Sequence, residues 1–269
     1  MPKVSTSKTR WNAAEYAANS VVQQTWAREL IARLHLQGGE HVLDVGCGDG
    51  KVTAEIARML PVGSATGVDA SRHMIQFARK TFPAGKHPNL KFQVMDACRL
   101  TFPHKFDCIF SNAALHWVED HQAFLGAAAS ILKPGGRLMV SCGGKGNALD
   151  VFSALRPQLR LKRWRSYFRG MPKPYFFYTP GDYEKWLLRY GFKTERVELV
   201  PKDAVYSGRD GFAAWLRTTW LPYTQRVPEE TRDEFIAAVT DRYLSGHAPD
   251  AEGRVRVRMV RLEIDALKI

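Results

Sequence analysis

The amino-acid sequence predicts an α/β protein in which helices cover both faces of a parallel sheet. Three observations support this prediction. Short apolar, strand-like runs alternate with amphipathic, helix-like segments from residue 40 to residue 142. The first of these runs, 42–45, leads directly into a glycine-rich turn at 46–50. The alternation then stops after Gly143. Strands that alternate with helices favour a parallel sheet, because each helix returns the chain to the same edge.

The elements follow from residue periodicity and from capping residues. A helix is expected over residues 11–36, with Ser20 as its candidate N-cap, and Ser71 can cap a second helix. Strands are expected at 42–45, 65–68, 90–95, 106–111 and 137–141, and helices at 51–60, 71–82 and 122–132. Residues 134–136, Pro-Gly-Gly, are expected to form a turn.

The second half of the chain has a different rhythm, since residues 144–180 are rich in Arg, Lys, Pro and aromatic residues. The pattern beyond them predicts a helix at 182–190 that ends at Gly191, a strand at 192–200, two or three helices within 208–245, and a last strand at 255–267. We therefore expect helices, interrupted by one late strand, to precede the strand that completes the sheet.

The composition limits the kind of protein. Lys and Arg number 39 against 27 acidic residues, a formal charge of +12, which favours anionic partners such as acidic metabolites, acidic proteins or nucleic acid. The four cysteines form no CxxC pair, so free thiols in a reducing cytoplasm are expected, without disulfides or a metal site. Neither a secretory signal nor a membrane-inserting segment is predicted.

The glycine turn and its neighbours indicate a nucleoside ligand. Gly46, Gly48 and Gly50 allow a tight turn and close approach of the backbone to a ligand, although an ordinary strand-to-helix turn would also suit them. Asp69 ends the next strand about 20 residues later, where a carboxylate can accept both ribose hydroxyls. Asp44 and Asp49 would repel a pyrophosphate. They suit S-adenosylmethionine, which carries an ammonium and a sulfonium instead.

Five ordered motifs resemble those of class I S-adenosylmethionine-dependent methyltransferases. They are Val42–Gly50, Gly67–Ser71, Met95–Ala97, Phe106-Asp107 and Leu132–Gly136. The resemblance covers about residues 40–142 and implies a Rossmann-like sheet of seven strands with the last strand antiparallel. It also implies a helical cap at 1–36, a cofactor-binding core at 37–143, a mainly α-helical lid at 144–250 that includes the late strand, and a final core strand at 251–269.

The same resemblance implies roles for single residues. Asp69 holds the ribose, Ala70 or Met74 flanks the adenine, and Asp96 with Ala97 contacts the adenine edge, although a strand-end cap is the alternative for Asp96. The amino-acid end of the cofactor meets the backbone from Gly46 onward. The full set of cofactor-binding candidates is Tyr16, Asp44, Gly46, Cys47, Gly48, Asp69, Ala70, Met74, Asp96, Ala97 and Asn112. Asp44 is expected to order the loop more than to touch the ligand.

Looser similarities concern the methyl acceptor. Residues 11–16 with Ser20 and Gln23, the segment Ser111–Trp117, and the stretch 214–222 resemble trans-aconitate, juvenile hormone acid and malonyl carrier-protein methyltransferases. The resemblance implies that Tyr16 and Gln23 close over the cofactor and that Trp117 lines the acceptor pocket. Packing in the core is the alternative for Tyr16 and Trp117. His116 is either a general base or a residue that packs and orients the loop.

These observations predict methyl transfer to the carboxylate of a small or medium organic acid. A carboxylate is already ionised at neutral pH and needs no catalytic base. The catalytic candidates are Gln23, His116 and Trp117, and the substrate-binding candidates are Gln23, Trp117, Arg217 and Trp220, with Arg226 as a further candidate clamp.

Three alternatives stay open. The acceptor could be an acyl group on an acidic carrier protein, or a natural product that is methylated on carbon, nitrogen or a hydroxyl. The third alternative is an RNA substrate, which is less favoured than a small acid. The basic, aromatic segment 156–169 suits an acidic carrier, the rim of an acid pocket or single-stranded nucleic acid, and it also suits a solvated helix face.

Overall fold

The computed structural model describes residues 21–269, with side chains from residue 24 onward. Within this part of the chain, seven strands form one sheet in the order β3-β2-β1-β4-β5-β7-β6. The strands are β1 His41–Val45, β2 Ser64–Asp69, β3 Leu90–Val94, β4 Phe106–Asn112, β5 Leu132–Gly143, β6 Phe192–Tyr206 and β7 Val255–Lys268. The helices are α1 Val21–Ala32, α2 Lys51–Arg58, α3 Arg72–Thr81, α4 His121–Ile131, α5 Leu149–Arg160, α6 Pro180–Arg189, α7 Gly208–Thr219, α8 Leu221–Thr224 and α9 Glu229–Leu244.

The sheet has the predicted Rossmann-like topology. Strands β1 to β5 pair in parallel, and β7 pairs with β5 in the antiparallel direction. The strand order reverses between β1 and β4, which lie side by side. In open sheets of this type, ligands bind at the carboxyl ends of the strands beside such a reversal. The fold therefore predicts where the site lies before any side chain is considered.

Two apolar layers explain why helices lie on both faces. Phe124 and Leu125 of α4 and Tyr183 and Leu187 of α6 pack against one face, together with Ile109 and the residues of its cluster. The other face is covered by α1, α2 and α3 through a second cluster: Ala27, Leu30, Ile31, Ala54, Ile56, Ala57, Ile75 and Ala78. Each helix turns one apolar stripe to the sheet, as its periodicity predicts.

Three local features differ from the expectations. The turn at 134–136 lies inside β5, because Phe106 pairs with Leu132 whereas Cys108 pairs with Arg137. Residues 133–136 therefore lie opposite the single residue Asp107, which makes a bulge of three extra residues. Gly135 takes a positive φ of 74° within that bulge. β6 continues to Tyr206, beyond the expected end at residue 200. Residues 149–160 form α5, a helix that the basic and proline-rich composition obscures.

The described residues divide into two compact units. One contains residues 21–147, 175–202 and 260–269, and therefore most of the sheet. The other contains residues 148–174 and 203–259, with helices α5, α7, α8 and α9. Aromatic rings build its interior; for example, Phe212 and Tyr243 stack with their ring centroids 4.6 Å apart. The division into cap, core and lid made above stays a prediction.

The described part of the chain holds neither a membrane-spanning helix nor a metal-binding cluster. No helix there is long and apolar enough to cross a membrane. No group of three or more His, Cys, Asp or Glu side chains between residues 24 and 269 is arranged to hold a metal ion. The four cysteines are free thiols, and three of them, Cys47, Cys108 and Cys142, are buried.

Candidate active site

The glycine turn closes the end of β1 against two neighbouring elements. Gly46 and Gly48 have φ angles of 79° and 53°, values that L side chains rarely adopt. The amide of Gly46 donates a hydrogen bond to the Val68 carbonyl at 2.7 Å. A Cβ atom at Gly46 would lie 2.1 Å from the Cβ of Ala114, so the turn stands directly against the segment that follows β4. Glycine at position 46 therefore brings these two loops together.

Asp69 connects the end of β2 to the same turn. Its half-buried carboxylate accepts hydrogen bonds from the Gly48 amide at 3.1 Å and the Ser71 amide at 2.8 Å. Burial raises the pKa of Asp69, and the two backbone hydrogen bonds oppose that shift. Ala70 beside it is exposed, and Met74 is buried in the first turn of α3. Asp69, the residue predicted to bind the ribose, thus lies against the glycine turn.

Two more carboxylates lie in the turn. Asp44 is buried and accepts a hydrogen bond from the Thr53 hydroxyl at 2.7 Å, which ties the end of β1 to α2. Burial is the main reason that the pKa of Asp44 rises to about 7, with a further contribution from Asp69. Asp49 is also buried, and its Oδ2 atom has no hydrogen-bond partner among the described residues, although the Lys51 ammonium lies 3.4 Å away.

This turn fits S-adenosylmethionine better than it fits a pyrophosphate. Three carboxylates surround a backbone that turns tightly through glycines, and the buried Oδ2 atom of Asp49 receives no hydrogen bond from the described residues. Such a group of carboxylates attracts a positively charged ligand and repels a phosphate. The thiol of Cys47 is buried here, and burial raises its pKa well above the ordinary value, so it is not a nucleophile.

The predicted adenine-edge residues follow β3. The Asp96 carboxylate accepts a hydrogen bond from the Cys98 amide at 2.9 Å and caps the short 3₁₀ turn Ala97–Arg99. Asp96 is exposed and Ala97 is half-buried. The Met95 amide donates to the Asp69 carbonyl at 3.1 Å, so this strand end lies beside that of β2. The capping role expected as the alternative for Asp96 is present, and contact with a ligand stays a prediction.

The segment after β4 is held by several specific contacts. The Ser111 hydroxyl donates to the carbonyl of Val45 at 2.7 Å, which fixes the ends of β4 and β1 to each other. Ala113 follows with a positive φ of 58°, an unusual conformation for a residue with a Cβ atom. A 3₁₀ turn, Leu115–Trp117, comes next. Strain of this kind is typical of functional loops whose surroundings enforce one geometry.

His121 and Tyr183 hold the turn Leu115–Trp117 in place through a chain of hydrogen bonds. The His121 ring contacts the Leu115 carbonyl through Nε2 at 2.7 Å and the Tyr183 hydroxyl through Nδ1 at 2.6 Å. Burial lowers the pKa of His121 to about 4, so the ring is neutral at physiological pH. A neutral ring that donates from Nε2 and accepts at Nδ1 satisfies both contacts. No sequence motif indicates this pair, because its members are 62 residues apart.

His116 is poorly suited to be a general base. Burial lowers the pKa of its imidazole to about 3, and the charge of Arg261 adds to that effect. The Gly143 amide approaches Nδ1 at 3.4 Å, and the His116 carbonyl accepts a hydrogen bond from the Phe176 amide. A ring with such low proton affinity accepts a substrate proton inefficiently near neutral pH. The low pKa favours the alternative in which His116 packs and orients the loop, and a role as general base stays a prediction.

Aromatic rings surround His116. Trp117 meets Tyr175 edge to face with centroids 4.8 Å apart, and Tyr175 stacks on Phe177 at 5.9 Å. Trp117 itself is half-buried, which is consistent with a wall of a pocket as well as with packing. Tyr175 and Phe177 belong to the segment that sequence periodicity does not resolve. Their spacing of two residues, with both rings on one side of an extended chain, is the only signal that could have indicated them.

Arg261 is a further site-facing residue that no motif indicates. It is buried in β7, and its guanidinium donates to the Asn112 side chain at 3.3 Å and to the Ser141 carbonyl at 2.6 Å. The signal for it lies in the alternation of β7, where charged residues at 261, 263 and 265 alternate with apolar residues at 262, 264 and 266.

The other predicted acceptor residues are placed differently. Tyr16 lies outside the described residues, and only the helical backbone of Gln23 in α1 is described. Arg217 and Trp220 belong to the second unit, where Arg217 forms an ion pair with Asp233 at 2.8 Å. Trp220 is buried there and meets the ring of Phe152 edge to face at 4.8 Å. Their roles toward an acceptor stay predictions.

A glycine turn after β1, a carboxylate at the end of β2 and a strand reversal beside them define a protein that binds a nucleoside cofactor without phosphate. A family model described as a methyltransferase domain matches residues 42–136. The protein is an S-adenosylmethionine-dependent methyltransferase, and S-adenosylmethionine is its cofactor.

Similar proteins extend over nearly the whole chain. The trans-aconitate 2-methyltransferase of Agrobacterium fabrum is 29% identical across 96% of this chain and 99% of its own. A putative methyltransferase, 235L, of Invertebrate iridescent virus 6 is 24% identical across 87% of this chain and 86% of its own. The crystal structure of a putative methyltransferase from Bacillus halodurans shares the fold with a TM-score of 0.63, at 19% identity, over 91% of this chain and 99% of that one.

Proposed function

We propose that this methyltransferase transfers the methyl group to a carboxylate oxygen of a small organic acid. One observation carries the proposal. The loop after β4 carries His116, which accepts protons poorly, and Arg261 of β7 places a buried positive charge against Asn112, where that loop begins. Such a loop is better suited to an acceptor that is already an anion than to one that must lose a proton.

The chemistry of the acceptor supports this assignment. The cofactor, when bound, supplies a methyl group on a positively charged sulfur. A carboxylate is ionised at neutral pH and attacks that carbon directly, whereas a hydroxyl or ammonium group must first lose a proton. The protein then has to hold the oxygen in line with the methyl carbon and keep water out. Charge, hydrogen-bond donors and aromatic walls perform these tasks, and no acid–base pair is required.

The relatives favour the same chemistry. Six of them, 27–29% identical over 94–96% of this chain, are named trans-aconitate 2-methyltransferase. Their name describes methylation of a small polycarboxylate, and trans-aconitate is therefore the first acceptor to test. In this proposal Asp69 binds the cofactor ribose, Trp117 and Gln23 position the acceptor, and the segment 144–250 with Arg217 and Trp220 acts as the lid.

The test is methyl transfer from radiolabelled S-adenosylmethionine to a panel of acceptors. The panel contains trans-aconitate, other di- and tricarboxylates, monocarboxylates, a carboxylate on an acidic acyl carrier protein, phenols, amines and RNA. We expect label in small acids as a product that mild base releases, as an ester requires. Base-stable label in phenols, amines or RNA, with none in acids, would refute the proposal. Label confined to the carrier-bound acid would replace it with the carrier-protein alternative.

Two substitutions test the acceptor residues. Trp117→Ala and Gln23→Ala should each lower turnover at least tenfold while S-adenosylhomocysteine still binds, because a misplaced acceptor slows the reaction strongly. Phe102→Ala is the matched control, since this half-buried ring is in the same unit but packs on Phe106 at the start of β4, with ring centroids 4.9 Å apart. Full activity in both site variants would exclude these residues from the acceptor site.

A further inference from the structure

One face of β7 carries three buried charged residues in a row. Arg261, Glu263 and Asp265 are 3%, 6% and 5% exposed, whereas the alternating residues Leu262 and Ile264 belong to the apolar core on the opposite face. Fully buried charges are rare in proteins unless something specific holds them. Each of the three therefore needs a physical explanation.

The two carboxylates are explained by ion pairs that join elements of the fold. Glu263 pairs with Arg33, just beyond α1, at 2.6 Å. Asp265 receives two hydrogen bonds from the Arg137 guanidinium, at 2.8 and 2.7 Å. A two-point contact of this kind is strong and fixes geometry. Both pairs fasten the sheet and its covering helix, and they lie away from the glycine turn.

Arg261 has a different set of contacts. Its Nε donates to the Ser141 hydroxyl at 3.2 Å, and one Nη donates to the Ser141 carbonyl at 2.6 Å and to Asn112 Oδ1 at 3.3 Å. The guanidinium carbon also lies 5.4 Å from the centroid of the Trp26 ring. The charge is thus held at the ends of β4 and β5 and covered by an indole of α1.

The strand register places this charge at the active edge of the sheet. Asn112 pairs with Ser141, and Gly143 pairs with Arg261. The same Gly143 contacts His116 through its amide. After burial, the positive charge of Arg261 is the next largest cause of the low pKa of His116, so its field reaches the loop that carries Trp117. Arg261 therefore acts electrostatically where the acceptor is expected.

We propose that Arg261 is the residue by which this site selects an anionic acceptor, because its buried guanidinium makes the end of β4 positive and fixes the orientation of Asn112. The proposal deepens the proposed function, on which it depends for the substrate class. A guanidinium only donates hydrogen bonds, so it holds Asn112 by the oxygen and fixes which way the amide nitrogen points. Arg261 is a positioning residue in this proposal, and contact with the reacting atoms is not part of it.

The first test measures the field without any acceptor. Nuclear magnetic resonance of the imidazole nitrogens follows His116 in the wild type and in Arg261→Met and Arg261→Lys variants between pH 4 and pH 8. We expect His116 to begin to titrate at a higher pH in Arg261→Met and to stay close to wild type in Arg261→Lys, which keeps the charge. An unchanged His116 titration in Arg261→Met would overturn the proposal.

The second test measures anion binding directly. Calorimetry compares trans-aconitate with its neutral trimethyl ester, each added to the complex with S-adenosylhomocysteine. Arg261→Met should weaken binding of the anion at least tenfold and change binding of the ester little. Arg261→Lys should recover most of the anion affinity but less of the turnover, because an ammonium cannot hold Ser141 and Asn112 in one plane. Equal losses for anion and ester would indicate a purely structural role.

Arg137→Met is the matched control. Arg137 is also an arginine of the β5–β7 ladder, but its side chain pairs with Asp265 and it lies at the other end of that ladder from Arg261. Arg137→Met should lower the melting temperature without changing the ratio of anion affinity to ester affinity. If that ratio fell as far in Arg137→Met as in Arg261→Met, the proposal would be overturned. If the wild type bound no acid at all, the proposed function would fail, and the His116 titration would still decide whether the charge of Arg261 reaches the loop.

Discussion

At the scale of single residues, Asp69 orders the glycine turn, and we propose that its carboxylate also binds the cofactor ribose. Asp69→Ala should weaken binding of S-adenosylhomocysteine by roughly 10- to 100-fold, because hydrogen bonds to a charged group are worth about 1.5–3 kcal/mol. Titration calorimetry measures this change. Asp107→Asn is the control: that carboxylate also accepts an amide hydrogen bond, from His41 at 2.8 Å, but it lies at the start of β4. Unaltered affinity in Asp69→Ala would refute the ribose-binding role of Asp69.

Asp44 predicts a proton-linked affinity for the cofactor. Its pKa of about 7, raised mainly by burial, means that the carboxyl is partly protonated at neutral pH. A cationic ligand favours the ionised form, so binding releases a proton and the dissociation constant falls as the pH rises through 7. S-Adenosylhomocysteine carries one positive charge fewer and should show a weaker dependence.

The measurement is the dissociation constant of both ligands between pH 6 and pH 8. We expect S-adenosylmethionine to gain several-fold in affinity relative to S-adenosylhomocysteine over this range. Asn at position 44 cannot ionise, so Asp44→Asn should remove the difference between the two ligands. Identical pH profiles for both ligands in the wild type would contradict the role given to Asp44.

The sequence predicts the cofactor residues well for a physical reason. Strand ends and glycine turns are local, so residues 46–50 and Asp69 can be placed from spacing alone, and the hydrogen bond between Asp69 and Gly48 joins them as expected. Arg261 cannot be placed in this way. It meets Asn112 from a distance of 149 residues along the chain, and only the antiparallel register of β7 brings the two together.

At the scale of elements, the turn Leu115–Trp117 depends on helices α4 and α6 beneath it. His121 of α4 and Tyr183 of α6 form a buried chain that ends on the Leu115 carbonyl. Tyr183→Phe should cost about 1 kcal/mol of the free energy of unfolding, the typical net worth of one hydrogen bond. It should also lower turnover, because the turn carries Trp117. Chemical denaturation and steady-state kinetics measure the two effects, and wild-type turnover in this variant would show that the support is dispensable.

The two buried histidines also predict acid sensitivity. Folding lowers the pKa of His121 to about 4 and that of His116 to about 3, in both cases mainly through burial. In the unfolded chain the histidine pKa is near 6.5. Below that pH the unfolded chain therefore binds protons that the native state does not bind, and the free energy of unfolding decreases as the pH falls. Each histidine contributes a slope of up to about 1.4 kcal/mol per pH unit in that window.

Melting temperatures between pH 8 and pH 4.5 test this expectation. The wild type should lose stability steadily below pH 6.5, and His121→Asn should be less stable at pH 8 but flatter below pH 6.5. At pH 8 both rings are neutral in the folded and the unfolded chain, so that measurement isolates the lost hydrogen bonds. The same slope in His121→Asn and in the wild type would show that this histidine does not cause the acid sensitivity.

Elements differ in how far periodicity predicts them. Helix α6 is predicted to within two residues, 182–190 against Pro180–Arg189, because Gly191 follows its end with a φ of 72°, whereas the capping box of Thr179 and Asp182 that begins it is not part of the prediction. Helix α5 is not predicted, since an internal Pro157 and a high density of cations hide its apolar stripe. The bulge in β5 is not predicted either, because it arises from pairing with β4 and not from the local sequence.

At the scale of the whole molecule, the formal charge of +12 and the pI of about 9.7 create a positive field around the protein. Seven cations and no acidic residue occur between Arg156 and Lys173, and these cations are exposed. Such a field concentrates anions near the surface and speeds their association, and salt weakens it. An anionic acceptor should therefore associate faster with the protein, and this increase in association rate should grow with the charge of the acceptor.

This field predicts how the reaction responds to salt. Between about 30 and 500 mM salt the Debye length falls from nearly 20 Å to a few ångströms, so attraction to exposed charges is lost while the buried charge of Arg261 is screened much less. KM for a tricarboxylate should therefore rise several-fold, KM for a monocarboxylate should rise less, and kcat should stay constant. Steady-state kinetics over this range, with the cofactor saturating, provides the measurement.

Replacing Arg160, Lys162 and Arg165 together by glutamine should reduce the salt response of KM and leave kcat unchanged, because these exposed side chains affect the rate of encounter and not the transfer step. A KM for the tricarboxylate that is independent of salt would show that recognition depends only on groups inside the site.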